Sequence, residues 1–265
     1  MSSALQPAEI FQQAAKEGER RLDQSFLELV ATAFIAGFTI VFGIIGLGVV
    51  EGMARPAMGG AAKLLGALAF APGVVFLIVG RAELFSENFF DPIAAGFRSG
   101  WHKLGSKLMR LWLFTLLLNL AGGALLIAVV SVEGVLPVSA HEALNRVAEE
   151  AAHRPLLPTL MRAVVGGALV AMLSFLVIAS RETISRMLAA YAVGFLLAIG
   201  PFEHVIVSML HVGFGVASDA NVSALHILEV GLIALLGNLL GGVGLVTLSH
   251  AAQARAAQSE PKDQR

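Results

Sequence analysis

The chain of 265 residues contains no cysteine. That absence excludes disulfides, thiolate metal sites and cysteine nucleophiles. Charge is scarce as well. Asp, Glu, Lys and Arg make up 14% of the residues, where a soluble domain carries about 25%. The formal net charge of -1 gives nucleic acid no electrostatic reason to bind. Neither GxxxxGKS nor GxGxxG after a strand occurs, so the glycines do not form phosphate loops. His141-Glu142-Ala143-Leu144-Asn145 stops one residue short of the HExxH zinc motif, because Asn145 stands where the second ligand belongs. No metal site, no cofactor and no enzymatic centre are expected. Residues 1–25 are polar and charged (Lys16, Glu17, Glu19, Arg20, Arg21, Asp23), unlike a basic, apolar, cleavable signal peptide. The first apolar span is read as its own insertion signal.

Apolar sequence fills the chain instead: 57% of it is hydrophobic, and the mean hydropathy is +0.79. The fold class is an all-α membrane protein, with spans near 26–53, 64–80, 111–132, 157–180, 187–214 and 225–249. Residues 1–25 form a cytoplasmic segment in which Ile10, Phe11, Ala14, Ala15 and Leu22 fall at helical spacing. They fit an amphipathic helix on the membrane surface or a solvated leader helix. Residues 26–250 form the channel domain, and 251–265 read as a polar, disordered cytoplasmic tail. A turn is expected at Arg55-Pro56 and then Gly59-Gly60. In the linker 133–155, Ser139 followed by Glu142 is a capping box that predicts a short helix there. Lys and Arg cluster in the leader, the 98–110 stretch, the 181–186 loop and the tail, which puts both termini in the cytoplasm, with the inner membrane as the location.

Two spans are interrupted by ionisable residues. Gly200-Pro201-Phe202-Glu203-His204 breaks the fifth, because proline gives no N–H and clashes with the preceding turn. Gly80-Arg81-Ala82-Glu83 ends the second. Ionisable groups at membrane depth are costly and usually line an interior. The two breaks are also related. Asn119-Leu120-Ala121-Gly122-Gly123 and Asn238-Leu239-Leu240-Gly241-Gly242 follow them at 39 positions (80 to 119) and 38 positions (200 to 238). Two halves of three spans therefore match, and since three is odd the second half enters the membrane inverted. Interrupted spans at corresponding places in inverted halves point to a central substrate site. Asn119 and Asn238 fit a structural part, closing helix approaches or capping freed backbone, better than contact with a solute.

The residues at these breaks carry a resemblance. Glu83-Leu84-Phe85-Ser86-Glu87-Asn88 resembles the Glu-Leu-Phe-Thr-Gly-Asn loop of the formate–nitrite transporter family. Phe202-Glu203-His204-Val205-Ile206-Val207-Ser208-Met209 resembles that family's Phe-Glu-His-Ser-Ile-Ala-Asn-Met segment. Gly237-Asn238-Leu239-Leu240-Gly241-Gly242 resembles its last-span motif. The resemblance covers about 26–250. It implies an aquaporin-like protomer of six spans, assembled as a homopentamer with a pore in each protomer. The implied cargo is a small monovalent anion such as formate, nitrite, hydrosulfide or lactate, in some cases with a proton. His204 is similar to the family's central pore histidine, and Ser86 to the loop threonine facing it. Leu84, Val74 and Leu197 resemble one narrow apolar ring, and Phe70, Phe85 and Val170 the other.

Gly167 and Ser208 stand where the family has asparagines, Glu87 replaces its loop glycine, and Arg81 replaces a small residue. These departures mark a divergent branch. An anion entering an apolar constriction meets a large desolvation cost. Imidazole, with an unperturbed pKa of about 6.5, can offer it a proton or a positive field. Glu203 holds the His204 ring or accepts from freed N–H groups, and Glu83 holds its loop. Arg81 either attracts anions at the vestibule or pairs with Glu83, Glu87 or Asp91. His211 lines the far vestibule or an interface. A neutral-solute channel of the water or glycerol kind and a non-transporting membrane scaffold are the alternatives, with an intramembrane hydrolase a remote third.

Overall fold

The computed structural model describes residues 5–259, and no strand occurs among them. The helices are α1 (Pro7–Asp23), α2 (Phe26–Met58), α3 (Ala62–Val79), α4 (Asp91–Ser99), α5 (Trp101–Val130), α6 (Val138–Ala152), α7 (Leu156–Ala179), α8 (Thr183–Ile199), α9 (Val205–Ala217), α10 (Ala224–Leu239) and α11 (Leu248–Ser259). A 3-10 turn at Gly59–Ala61 joins α2 to α3, and another, Phe85–Phe89, precedes α4. Leu240–Thr247 is a π-helical stretch that runs on between α10 and α11.

Four helical segments are long and apolar enough to cross a bilayer: Phe26–Val79, Leu104–Val130, Leu156–Ala179 and Ala224–Ala257. The first holds 54 residues, which as a straight helix would reach about 80 Å, far beyond the ~30 Å hydrocarbon core. It folds back at Gly59, whose φ is 54°, and α2 packs along α3. Two shorter apolar helices, α8 and α9, complete the bundle.

Contacts in the first half recur in the second. Helix α2 packs on α3 and α5, as α7 packs on α8 and α10. Helix α1 lies on α4 and α7, as α6 lies on α9 and α2. Helix α3 packs on α8, its own counterpart in this exchange. The buried core is a continuous apolar cluster that includes Ile40, Ile44, Phe70, Val74, Leu84, Phe85, Val170, Leu173, Leu197 and Ile206.

Two glycines set how closely the halves close on themselves. A Cβ on Gly37 would stand 1.8 Å from the Asn119 carbonyl oxygen, and one on Gly167 would stand 2.3 Å from that of Asn238. Position 167 therefore has no space for an asparagine side chain: α7 passes α10 in backbone contact there, as α2 passes α5 at Gly37. A proline is accommodated in a different way. Pro72 inside α3 has no N–H for the carbonyl of Leu68. The hydroxyl of Tyr191, the chain's one tyrosine, donates to that carbonyl at 3.1 Å from the neighbouring α8.

Several local expectations change. Helix α2 does not turn at Arg55-Pro56. It continues to Met58, with Arg55 paired to buried Glu51 at 2.9 Å, and stops at Gly59, where a positive φ is easiest for glycine. Helix α6 begins at Val138, with Pro137 at its N-cap and no side-chain cap bond, so the Ser139–Glu142 box is not used. Helix α1 is not a solvated leader, because Ile10, Ala14, Ala15, Gly18 and Leu22 are buried against the bundle. The tail expected to be disordered over 251–265 is helical to Ser259. Alanine is the best helix former, and Ala251 and Ala254 are buried where α11 meets α1. Residues 260–265 lie outside the described residues.

Gly37→Ala forces apart two backbones in contact. It is expected to destabilise the detergent-solubilised protein by about 1–3 kcal/mol, read as a lowered midpoint in thermal unfolding. The same substitution at Gly60, which has no atom within 4 Å of the added carbon, is the control.

Candidate functional site

The two breaks are built alike. At the first, Gly80 N–H donates to the Phe76 carbonyl at 2.8 Å and Ala82 N–H to that of Leu77 at 3.1 Å. At the second, Gly200 N–H donates to Leu196 at 3.0 Å and Phe202 N–H to Leu197 at 3.0 Å. They differ between these bonds. Arg81 takes a φ of 51°, a left-handed conformation that a proline such as Pro201 cannot reach.

Each break leaves backbone groups buried and unpaired by the helix, and one asparagine closes each. Asn119 Oδ1 accepts from Phe85 N–H at 2.8 Å, and its Nδ2 donates to the carbonyls of Ala33 at 2.7 Å and Glu83 at 3.0 Å. Asn238 Oδ1 accepts from Val205 N–H at 2.9 Å, and its Nδ2 donates to those of Ala163 and Glu203, both at 2.8 Å. Both side chains are fully buried. In each case an amide bridges the broken span to the span before it.

Two of the buried glutamates, Glu83 and Glu203, are held by arginines at the ends of the amphipathic helices. Glu203 pairs with Arg154, which follows α6, and accepts from the Ser208 hydroxyl at 2.6 Å. Ser208, one of the departures from the resembled family, thus supplies a donor to the glutamate. Glu83 accepts from Gln24 at 2.6 Å and faces Arg21 of α1 at 3.6 Å. Arg21 also faces Glu17 at 3.2 Å and Asp91 at 3.4 Å, and its Nη1 donates to the side chain of Asn88 at 3.2 Å. Burial opposes the charge on Arg21, but Asp91, Glu83, Glu87 and Glu17 outweigh it and hold the guanidinium above its ordinary value. Among the described residues, no hydrogen bond joins the Glu203 carboxylate to the His204 ring.

His204 is the N-cap of α9 and is 2% exposed. Its Nδ1 accepts from Val207 N–H at 3.4 Å, which leaves the proton of a neutral ring on Nε2. Nε2 meets the Ser86 hydroxyl, so the two breaks touch through these side chains. On either side lies a cavity. The larger, about 800 Å³, is lined by Arg20, Arg21, Arg81, Glu83, Glu87 and Asp91 among others. The smaller, about 120 Å³, is lined by His204, Ser208, His211, Arg154, Phe70 and Leu197 among others. The two cavities share no lining residue. Val74, Leu84, Phe85 and Val170 line neither and are buried in the central apolar cluster. Phe70 and Leu197, which the resemblance assigns to different rings, line the same cavity.

Arg81 is exposed at the larger cavity, and among the described residues it makes no ion pair with Glu83, Glu87 or Asp91. Arg21 occupies that place. His211 lines the smaller cavity, and its Nε2 is buried without a hydrogen-bond partner among the described residues. His250 stacks on Phe175 with ring centroids 3.9 Å apart, and His226 belongs to the N-terminal capping box of α10. Among the described residues, no group of His, Asp and Glu is placed to hold a metal ion. Sequence reasoning missed Arg21 and Arg154. The signal was present: each is an arginine at the end of an amphipathic stretch just before a span.

Apolar helices long enough to cross a bilayer, with two breaks and buried carboxylates lining two cavities, define an integral membrane protein. A profile of the formate/nitrite transporter family matches residues 8–252. The chain belongs to the formate/nitrite transporter family, whose members are transporters and not enzymes. Among solved structures, one described as an FNT family ion channel matches with a TM-score of 0.79 at 19% identity, covering 92% of this chain and 98% of the other. A second, described as a pentameric formate channel with formate bound, gives 0.71 at 18% identity, covering 86% and 96%. At these identities the likeness shows the fold. No curated protein matches the sequence.

Asn238→Ala strands the Val205 N–H and the Ala163 and Glu203 carbonyls. It is expected to cost about 3 kcal/mol or more and to lower both the unfolding midpoint and the yield of monodisperse protein. An unchanged midpoint would contradict the bridging role of this side chain.

Proposed function

We propose that the chain is a membrane channel for small monovalent anions of weak acids, with formate as the first candidate. The observation that carries this reading is the contact between Ser86 and the Nε2 side of His204, made where two breaks meet between two cavities. In this reading the six spans form two inverted halves in an aquaporin-like protomer. The equivalent asparagine bonds and the exchanged helix contacts support it. The formate bound in the structural neighbour supports the cargo, and that neighbour's pentameric state supports a homopentamer. Both termini lie in the cytoplasm of an inner-membrane protein, with residues 1–25 on the cytoplasmic face.

The chemistry follows from charge and water. A bare anion loses several kcal/mol of solvation in an apolar constriction. Leu84, Val74 and Leu197, with Phe70, Phe85 and Val170, form the apolar constrictions of the path. Neutral His204 presents Nε2–H between them and stabilises the anion by a hydrogen bond. When protonated it lends a proton, so that the cargo crosses as the weak acid. Ser86 relays the contact. Arg21 and Arg154, beside Glu83 and Glu203, keep a half-buried cation at each end of the path.

Protein reconstituted in liposomes is expected to pass formate, faster at acidic external pH. His204→Ala is expected to change the pH dependence of that flux. Flux of water or glycerol without any anion would overturn the anion reading, and no flux of any solute would favour the scaffold. An unchanged pH profile in His204→Ala would remove the histidine from proton handling while leaving anion passage intact.

A further inference from the structure

Glu87 follows Ser86 directly and stands where the resembled family carries glycine. Its side chain is 5% exposed and lines the larger cavity, one residue from the Ser86–His204 contact. Among the described residues, no hydrogen bond or ion pair reaches its carboxyl group. The Ser174 hydroxyl, at 3.5 Å, meets only its backbone carbonyl. The nearest cation is already committed, because the single guanidinium of Arg21 is shared by Glu17, Glu83 and Asp91.

The charged groups around Glu87 come from every element packed about the cavity. Arg21 and Glu17 approach from α1 and Asp91 from α4, while Glu83 belongs to the same loop. Arg20 of α1, Glu28 of α2, Arg81 of the loop and Arg186 of α8 line the same space. Glu17, Glu83 and Asp91 share the Arg21 guanidinium, whose charge also reaches Glu87 without an ion pair, and Arg81 lines the cavity without pairing with Glu87, so a carboxylate at Glu87 would add a fourth acid around one half-buried cation.

We propose that Glu87 is an anion-admitting group of this pathway: as a carboxylic acid it donates a hydrogen bond to the entering anion, and as a carboxylate it repels that anion from Ser86 and His204. This rests on the anion-channel reading above. The physical reason is the same for both forms. A carboxylate buried beside the path without an ion pair of its own is costly, and a like charge at the entrance raises the barrier for every anion that follows. The neutral acid has one O–H to give. No bond is made or broken in this step, since the proton stays on Glu87 while the anion passes. A glycine at this position could do neither, so the device belongs to chains carrying an acid here.

The test compares formate flux in liposomes for the wild type, Glu87→Gln and Glu87→Gly between about pH 5.5 and about pH 8.5, a range that spans the ionisation of a buried carboxyl. Reporting each variant as a ratio to wild type at the same pH cancels the change in free weak acid. The ratio is expected to rise toward alkaline pH by roughly tenfold, the effect of removing one like charge near the path. It should rise for both variants, since neither can ionise. A ratio that stays flat with pH for either folded variant overturns the proposal and leaves Glu87 as loop packing. A wild type that passes no formate at any pH overturns the anion reading instead.

Discussion

Backbone hydrogen bonding inside a membrane is the constraint on which this structure depends. A helix broken at membrane depth exposes N–H and C=O groups that find no water in hydrocarbon. The chain breaks its helical course after α3 and after α8, and at each break one buried asparagine takes one N–H and gives to two carbonyls. The side chain of Asn119 or Asn238 thereby ties the broken span to the span before it. Gly37 and Gly167 let those spans come close enough for the bond to form. Ser86 and His204 stand directly beyond the closed breaks and meet because both breaks are fixed.

Charge is arranged around the same framework. Glu83 and Glu203 would be expensive at this depth alone, and each has an arginine from an amphipathic helix beside it. The two ends are not equivalent. At the second break Arg154 serves Glu203, and Ser208 completes its bonding. At the first, Arg21 is divided among several acids. The departures from the family pattern fall on this asymmetry: Ser208 supports a glutamate on one side, and Glu87 adds an unpaired acid on the other.

Much of the fold was legible because its signals are local. Apolar runs marked the helices, Gly200-Pro201 marked a break, and the Asn-x-x-Gly-Gly pairs marked the residues that close both breaks. Other features were hidden because they depend on partners far away in sequence. The spacing from Arg21 to Arg154 does not equal that from Glu83 to Glu203, so the matched ion pairs do not appear as a simple repeat. The turn expected at Arg55-Pro56 and Gly59-Gly60 is made by the glycines alone, with Pro56 carried inside the helix that stops at Gly59. The region 251–259 was misread because polarity suggested a tail, whereas its alanines form a helix buried against α1. The reason for Gly167 was invisible without the backbone of Asn238 beside it.

The absence of cysteine allows a direct measurement. Ser86→Cys introduces the only thiol of the protein, at the point where the path is held to pass His204. Liposomes carrying this variant are treated with a small anionic thiosulfonate, with and without formate, and the remaining formate flux is measured. The thiol is expected to react, the flux to fall, and formate to slow the reaction by occupying the same place. A thiol that reacts while flux stays intact, or that no anionic reagent reaches in a variant that still conducts, would contradict a path through Ser86 and His204.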